Sequence, residues 1–275
     1  IFVFLFVLCS TANAQWVQKH SGTLVNMSDA VSDQIFWAGR WDATAGTFTT
    51  TDGGQTWTSS TFVDPKGASV YCIDALNADT AYVVTSEIFK TTNRGNTWVM
   101  QITNFSTGFA NCIHFFDANN GVATGDPNGG YFEIYTTTNG GDNWVRVPSS
   151  NIPAPLPGEM GITSSFAAYN NNFWFATFGA ATGQRIIGST DRGYTWTLLT
   201  TFPIPSNITP SLEFRDSLHG IFIGNAYLIF RTSNGGITWT TDTLPSWVEF
   251  IGSPSYVPGT LATYVATVIG RSGEE

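Results

Sequence analysis

Three observations on the sequence predict an all-β fold built from repeated four-stranded units. An eight-residue motif ending in tryptophan recurs five times in 275 residues, with 41, 46, 52 and 43 residues between successive tryptophans. Short apolar runs separated by polar turns fill the intervals. No segment shows a useful helical period. A repeat of about 45 residues with β-rich content is typical of a β-propeller with one blade per repeat. We expect about five complete blades and a partial sixth in this chain, and six to eight in the full protein.

The first element is an apolar run, Ile1–Leu8, followed by small and polar residues up to Ala14. Small residues at positions 12 and 14 fit the cleavage pattern of a secretory signal peptide. The run is too short to span a bilayer, which takes about 20 apolar residues. We therefore predict that residues 1–14 are the end of a signal peptide and that the protein is secreted or displayed at the cell surface. Residues 15–275 are expected to form the propeller, truncated at its C-terminus.

We call the recurring motif the octet; its first copy is Thr50–Trp57. The third residue of every octet is Asp or Asn, whose side chain bonds backbone N–H groups of a tight turn. The fifth is Gly, which adopts a positive φ at little cost. The tryptophan opens the next strand and is expected to pack between adjacent units. The structural residues predicted for the five hairpins are Asp52 and Trp57, Asn93 and Trp98, Asn139 and Trp144, Asp191 and Trp196, and Asn234 and Trp239.

Before each octet, an apolar run, a polar turn and a second apolar run predict two more strands. In the third repeat this pattern runs from Phe115 to Gly125, around the turn 117–120. Each unit is therefore expected to contain an inner strand, a second, a third, and an outer strand opened by the tryptophan. At the ends, Trp16–Lys19 is predicted to be an outer strand that completes the last blade and covers a free edge. Val248–Gly252 is predicted to be a sixth inner strand, followed by a further apolar run at 262–270.

Cys72 and Cys112 occupy the same place in two successive repeats. Equivalent positions in neighbouring units are expected to lie beyond the Cα separation of about 5.5 Å that a disulfide needs. We therefore predict two buried free thiols that act as small hydrophobic side chains.

The octets, of the form [ST]-x-[DN]-x-G-x-[TN]-W, resemble the Asp-box of BNR repeats. That repeat is known from sialidases, xyloglucanases and sortilin-like receptors. The neighbouring Asp-x-x-x-Gly-Val/Ile element is similar to the propeller of photosystem II assembly factors of the Ycf48 kind. Secreted bacterial proteins with this propeller and a C-terminal type IX sorting domain are the nearest likeness. The resemblance covers nearly all of residues 15–275. It implies a β-propeller whose Asp-boxes lie at the blade periphery, away from the active sites of those families.

The composition excludes several functions. Eleven Lys and Arg against 20 Asp and Glu give a net charge of −9, whereas nucleic-acid binding relies on basic clusters. No basic stripe is present to hold the protein on an anionic membrane. The three histidines are scattered, without the spacing of a metal site. We expect no nucleic acid, no membrane insertion, no metal and no cofactor, and a monomer.

The predicted site lies on the loops at the end of the blades opposite the octets. Charges are scarce there, so the predicted ligand-binding residues are the charged and aromatic residues Arg40, Trp41, Asp126, Tyr131, Glu159 and Arg185. Aromatic platforms with a few placed polar groups favour sugars. The segment Pro148–Glu159 contains four prolines. It is either a stiff wall of a groove or a plain connection between blades.

Two functions from different classes follow. The first is non-catalytic recognition of an extracellular glycan or protein partner. The alternative is a glycoside hydrolase, sialidase-like or xyloglucanase-like, for which Asp126 and Glu159 are the only carboxylate pair considered. A sialidase resemblance implies three arginines around a carboxylate, and Arg40, Arg185 and Arg271 lie in comparable loops. The Arg-Ile-Pro element of that family is missing, however. An assembly scaffold like the Ycf48 group implies a basic patch, which this acidic chain lacks.

Overall fold

The computed structural model describes residues 25–41, 45–65, 67, 69–102, 105, 109–179, 183–203, 210–225, 228–243, 248–251, 254–257, 259–260, 263–265 and 268–270. Within them, 24 strands form five four-stranded antiparallel sheets and two two-stranded sheets. Every four-stranded sheet, called a blade below, is a meander in chain order. No helix in this part of the chain is long and apolar enough to cross a membrane. The predicted signal peptide and the strand predicted at Trp16–Lys19 lie outside the described residues.

The first two blades are consecutive in the chain. Blade 1 contains β1 (Val25–Ala30), β2 (Phe36–Arg40), β3 (Gly46–Thr50) and β4 (Thr58–Thr61). Blade 2 contains β5 (Cys72–Ala75), β6 (Ala81–Val84), β7 (Ile88–Thr91) and β8 (Val99–Ile102).

The next three blades repeat the pattern. Blade 3 contains β9 (Ala110–Phe115), β10 (Gly121–Asn128), β11 (Tyr131–Thr137) and β12 (Val145–Arg146), and a 3₁₀ turn at Ser149–Asn151 follows it. Blade 4 contains β13 (Met160–Tyr169), β14 (Asn172–Phe178), β15 (Gln184–Ser189) and β16 (Thr197–Phe202). Blade 5 contains β17 (Ser211–Phe214), β18 (Gly220–Asn225), β19 (Leu228–Thr232) and β20 (Thr240–Thr243).

Two small sheets follow the fifth blade. Within them, β21 (Val248–Ile251) pairs with β24 (Val268–Gly270), and β22 (Ser255–Tyr256) pairs with β23 (Tyr264–Val265). The strand predicted at Val248–Gly252 is thus present as β21. The five complete four-stranded blades that the octet spacing predicts are confirmed.

The chain divides into two compact units. The first comprises the residues up to Ala123 together with Thr137–Trp144, and the second comprises Thr124–Thr136 and the residues from Val145 onward. Each unit has its own core of aliphatic and aromatic side chains, most of them from the first three strands of its blades. Burial of these side chains stabilises each unit, at about 25 cal/mol per Å² of apolar surface removed from water. The first core contains Trp37, Val70, Ile73, Ala81, Val83 and Phe89. The second contains Ile162, Ala167, Trp174, Ala176, Ile186, Phe202, Leu212, Phe214 and Phe222.

Each octet forms the tight hairpin between the third and fourth strands of its blade. In the first copy the hydroxyl of Thr50 donates to the carboxylate of Asp52 (2.7 Å) and accepts the N–H of Gly54 (3.0 Å). Asp52 in turn accepts the N–H of Thr56 at 2.9 Å. These bonds satisfy the donors that the turn would otherwise leave exposed. The bonds of the third residue and of the fifth-residue N–H recur in the other four octets.

The fifth residue of every octet has a positive φ, as predicted from its glycine. The five values lie between 80° and 94°, at Gly54, Gly95, Gly141, Gly193 and Gly236. The fourth residue is left-handed as well. It is glycine in three octets, but Arg94 and Arg192 adopt φ of 60° and 63° there.

Two of the octet tryptophans contact the ring of a residue in the neighbouring blade. Trp98 of blade 2 packs edge-to-face on Trp37 of blade 1, with ring centroids 6.3 Å apart, and lies 5.1 Å from Phe62. Trp239 of blade 5 contacts Phe202 of blade 4 at 5.6 Å. The expected packing between units is therefore confirmed at these two tryptophans.

Cys72 and Cys112 behave as predicted. Cys72 and Cys112 are both buried and both free. Burial raises the pKa of the Cys72 thiol well above its ordinary value, which keeps the sulfur in its neutral form.

Candidate functional site

The octets and the turns between the first and second strands lie at one end of the blades, called the turn end. In all five blades the N–H of the fourth octet residue donates to a carbonyl of the first turn of the same blade, at 2.9–3.0 Å. The donors are Gly53, Arg94, Gly140, Arg192 and Gly235. Consequently the loops between the second and third strands, and the connections from one blade to the next, lie at the opposite end. We call this the loop end of a blade; each of the six residues of the predicted site lies at or beside this end of its own blade.

In the second unit, the proline-rich connection is anchored by a buried ion pair. An Nη atom of Arg185 lies 2.6 Å from Oε2 of Glu159, and the two side chains are 4% and 0% exposed. The hydroxyl of Thr177 donates to the other oxygen of Glu159, also at 2.6 Å. Each carboxylate oxygen of Glu159 therefore accepts a short hydrogen bond, which offsets the cost of burying the charge.

The same pair fixes the backbone of this connection. Oε2 of Glu159 accepts the N–H of Leu156 (2.8 Å), and the Glu159 N–H donates to the Leu156 carbonyl (3.0 Å). Arg185 also donates to the carbonyl of Ala154 at 3.1 Å. The segment that the prolines predict to be stiff is thus held by buried charges as well. Glu159 and Arg185 lie together as a structural clamp, with their charged atoms directed away from solvent.

Asp126 and Tyr131 belong to the long hairpin of β10 and β11 in the same unit. Asp126 accepts the N–H of Gly161, at the start of β13, at 3.0 Å. The guanidinium of Arg146 lies 3.8 Å above the ring of Tyr131, within the range of a cation–π contact. Arg146 also donates to the carbonyl of Asn128 at 2.6 Å.

The same hairpin contains a buried acid in β11. Glu133 is 1% exposed and accepts from the amide of Asn128 (3.2 Å) and the hydroxyl of Tyr135 (3.4 Å). Burial, reinforced by the charge of Glu133, raises the pKa of Tyr135 to about 12. The phenol therefore stays protonated and acts as a hydrogen-bond donor.

Arg40 and Trp41 lie at the loop end of the first unit, where β2 ends. The carbonyl of Arg40 accepts the N–H of Val70 at 3.2 Å. The ring of Trp41 packs edge-to-face on Tyr71, with centroids 5.4 Å apart, and Tyr71 contacts Phe109 at 4.9 Å. We call Trp41, Tyr71 and Phe109 the aromatic row.

Two buried polar groups lie near the aromatic row along the chain. Asp64 accepts from the hydroxyl of Ser86, with oxygen–oxygen distances of 3.1 and 3.3 Å. The β6–β7 turn that carries Ser86 is buried throughout, together with Glu87. These acids are buried, whereas Trp41, among the described residues of this end, is an exposed aromatic side chain.

A set of acids occupies the inner strands. Asp29 in β1 accepts the N–H of Ala75 in β5 at 2.7 Å, and Asp74 accepts the N–H of Phe115 in β9 at 2.8 Å. Asp74 also bonds Nδ1 of His114 at 3.0 Å. Burial, followed by the neighbouring charge of Asp74, raises the pKa of Asp29 to about 6. These carboxylates connect the inner strands of successive blades.

The second unit contains one similar acid. Glu213 in β17 accepts the N–H of Tyr256 in β22 at 3.4 Å, and burial raises its pKa to about 7. No three His, Cys, Asp or Glu side chains of the described ranges come together as a metal-binding group.

The structure brings together only some of the residues that the sequence singles out. Glu159 and Arg185 pair directly, and Arg40 precedes Trp41 in the other unit. Sequence reasoning missed Tyr71, Phe109, Arg146 and Thr177. One signal was available for the first two, since each directly precedes the inner strand of its blade.

Comparison with known proteins identifies the fold of this chain. No family model matches the sequence, and no curated protein matches it. The structure is similar to a GH74 enzyme of Niastella koreensis (TM-score 0.57, 17% identity) over 80% of this chain and 38% of the other. It is also similar to the GH74 xyloglucanase of Xanthomonas campestris (TM-score 0.60, 11% identity) over 81% of this chain and 38% of the other. YCF48 of Cyanidioschyzon merolae matches with a TM-score of 0.48 and 13% identity, over 86% of this chain and 90% of the other.

The likeness to the GH74 propeller enzymes confirms the β-propeller fold of four-stranded blades. This chain spans 38% of the length of each of those two enzymes. At identities of 17% and 11% the likeness extends to the fold alone.

Proposed function

We propose that this protein is a secreted, non-catalytic binding module that recognises an extracellular glycan with the loop end of its blades. The proposal rests on how two charged residues at this end are bonded. Arg185 and Glu159 form a buried ion pair, and this pair fixes the backbone of the proline-rich connection. The pair holds the loop backbone in one conformation. Because both side chains are buried, neither charged group is available to a ligand.

Rigidity of this kind favours recognition. A surface that is already ordered loses little conformational entropy when a ligand binds, so more of the contact energy appears as affinity. The proline-rich connection is ordered by its ring constraints and by the bonds at Leu156 and Ala154. In the first unit, the exposed Trp41 offers an aromatic surface of the kind on which sugars stack.

The competing hypothesis is a glycoside hydrolase that uses Asp126 and Glu159. Such an enzyme needs one carboxyl group that can protonate a glycosidic oxygen and a second that faces the sugar. The side chain of Glu159 is 0% exposed, and both its oxygens already accept hydrogen bonds. This geometry argues against hydrolysis by that pair. A protein partner is the second competing hypothesis.

One experiment separates the three hypotheses. The exported full-length protein is tested on a glycan array, and each glycan bound is then incubated with the protein while release of reducing ends is followed. We expect binding without hydrolysis. An Asp126→Ala variant, which removes the only proposed carboxylate with any exposure, is the control for hydrolysis.

Hydrolysis that disappears in Asp126→Ala would establish the enzyme and overturn the proposal. Failure of the protein to retain any glycan, together with specific capture of a protein, would replace the glycan by a protein partner. Mass spectrometry of the exported chain tests the proposed export, since cleavage after Ala14 gives an N-terminus at Gln15.

A further inference from the structure

The aromatic row is the most exposed aromatic feature of the loop end in the first unit. Trp41 directly follows β2, and Tyr71 and Phe109 directly precede β5 and β9. Successive ring centroids lie 5.4 and 4.9 Å apart, so the three rings form one continuous chain of contacts across three blades. Trp41 is 42% exposed and the other two rings are half-buried.

The row is fixed in place by the backbone around it. The Val70 N–H donates to the Arg40 carbonyl at 3.2 Å, and the Tyr71 N–H donates to the Val84 carbonyl at 2.8 Å. The Trp41 and Tyr71 rings meet edge-to-face and the Tyr71 and Phe109 rings meet at a tilt of 57°, and aromatic contacts of this kind favour the observed arrangement. The rings are therefore positioned before any ligand arrives.

Charge determines what kind of ligand suits this surface. The nearby carboxylates of Asp64 and Glu87 are buried, and the guanidinium of Arg40 lies 5.7 Å from the ring centre of Phe48. The protein carries a net charge of −9. An anionic ligand would be repelled at long range, whereas an uncharged ligand with an apolar face would not.

The backbone groups beside the row argue for a sugar rather than a peptide. An extended peptide binds by main-chain hydrogen bonds to unpaired N–H and C=O groups. The Val70 and Tyr71 N–H groups and their two acceptor carbonyls are already bonded to each other. What the surface offers is a line of flat rings, which fits the C–H face of a pyranose.

We infer that the aromatic row is a binding subsite for an uncharged pyranose oligosaccharide, with sugar rings stacked on Trp41 and its neighbours. The inference rests on the proposed function and adds to it the ligand class and the residues that bind it.

Calorimetric titration of the full chain with uncharged hexasaccharides of glucose, xylose and mannose tests the inference, with a polygalacturonate fragment as the charged comparison. We expect millimolar or tighter affinity for at least one uncharged probe. Trp41→Ala should weaken that affinity by about tenfold or more, equivalent to roughly 1.4 kcal/mol, and Trp41→Phe should restore part of it. Tyr194→Ala is the matched control, because Tyr194 is 41% exposed and lies in an octet at the turn end. It should leave the affinity unchanged.

The outcomes separate this inference from the proposed function. Unchanged affinity of Trp41→Ala for an uncharged sugar that the wild type binds would overturn the subsite and leave the binding module standing. Tighter binding of polygalacturonate than of every uncharged probe would overturn the ligand class. If the wild type bound no sugar, both the subsite and the glycan proposal would fail. The thermal unfolding of each variant shows whether a loss of affinity is a loss of fold.

Discussion

At the scale of single residues, the octet shows how few side chains define this fold. A hydroxyl at its first position and an Asp or Asn at its third close the turn with local bonds to residues two and four positions away. The carboxylate and the amide perform the same function, because each presents one oxygen to the backbone N–H of the seventh residue. Two octets replace the glycine at the fourth position by arginine, which has a steric cost.

Arg94 offers a test of that cost. Its φ of 60° is strained by about 1–2 kcal/mol for a residue with a Cβ. In return its guanidinium lies 3.0 Å from Asp79, in a surface pair between side chains that are 43% and 60% exposed. Such pairs stabilise by about 0–1 kcal/mol. We expect Arg94→Gly to leave the free energy of unfolding unchanged or to raise it slightly, and Arg94→Ala to lower it, in urea denaturation. A less stable Arg94→Gly would show that the ion pair outweighs the strain.

Asp52 provides a second test of the octet. Bonds from the Thr56 hydroxyl and N–H, and then from Thr50, lower the pKa of Asp52 to about 2. Asp52→Asn should unfold at nearly the wild-type temperature near neutral pH, because three octets carry Asn at this position. Asp52→Ala loses all three bonds and should unfold at a lower temperature. Equal melting of the Asn and Ala variants would mean that the side-chain bonds are not what holds the turn.

At the scale of elements, the connection between blades 3 and 4 depends on one buried pair. Removing one partner leaves the other charge buried and uncompensated, which typically costs about 3–5 kcal/mol. We expect Arg185→Met to lose stability on this scale in urea denaturation. The double variant Glu159→Gln with Arg185→Met should recover part of the loss, since no buried charge remains. If the double variant lost the sum of the two single losses, the pair would not be coupled.

The elements also show what the sequence can predict. The octets are found from the sequence because the side-chain bonds within each octet span four residues or fewer, so the pattern is local. The Glu159–Arg185 pair spans 26 residues, and the contact of Trp41 with Tyr71 depends on the register of two blades. Scarcity of charge drew attention to Glu159 and Arg185, but only the packing decides that they bind each other. For the same reason Tyr71 and Phe109 escaped notice.

At the scale of the whole molecule, the acids form two groups with opposite dependence on pH. Asp52 and Asp191 bind N–H and O–H donors of their own octets. The pKa of Asp52 is lowered to about 2, and in Asp191 the bonds from Thr195 and Ser189 outweigh partial burial and lower the pKa. Because the pKa of each acid is lower in the folded state than its ordinary value of 3.8, the stabilisation is present above pH 3.8. It is lost as the pH falls through the folded-state pKa. The acids of the inner strands behave in the opposite way.

The inner-strand acids should make the protein less stable as pH rises toward neutrality. Asp29 has a pKa raised from 3.8 to about 6, and Glu213 one raised from 4.5 to about 7. A raised pKa means that the folded state holds its proton more tightly, so stability is complete below the ordinary pKa and is lost as pH rises through the folded value. For Asp29 the loss of stability is at most about 3 kcal/mol, because each unit of pKa shift corresponds to about 1.36 kcal/mol. Besides burial, the charged groups that act on the pKa of Asp29 are Asp74, which raises it, and His114, which lowers it. We expect the free energy of unfolding to fall between about pH 4 and about pH 8.

Two amide variants test the origin of that fall in urea denaturation across the same range. Asp29→Asn keeps an oxygen for the Ala75 N–H and removes the charge, and Glu213→Gln does the same toward Tyr256. Each should flatten its part of the pH dependence and raise stability at about pH 8, whereas Asp33→Asn, at an exposed position, should change neither. A wild-type stability that rises steadily from about pH 4 to about pH 8 would show that these carboxylates ionise without cost in the folded chain. In that case the inner strands would hold ionised carboxylates without loss of stability, and the expectation that folding favours a protonated Asp29 would be wrong.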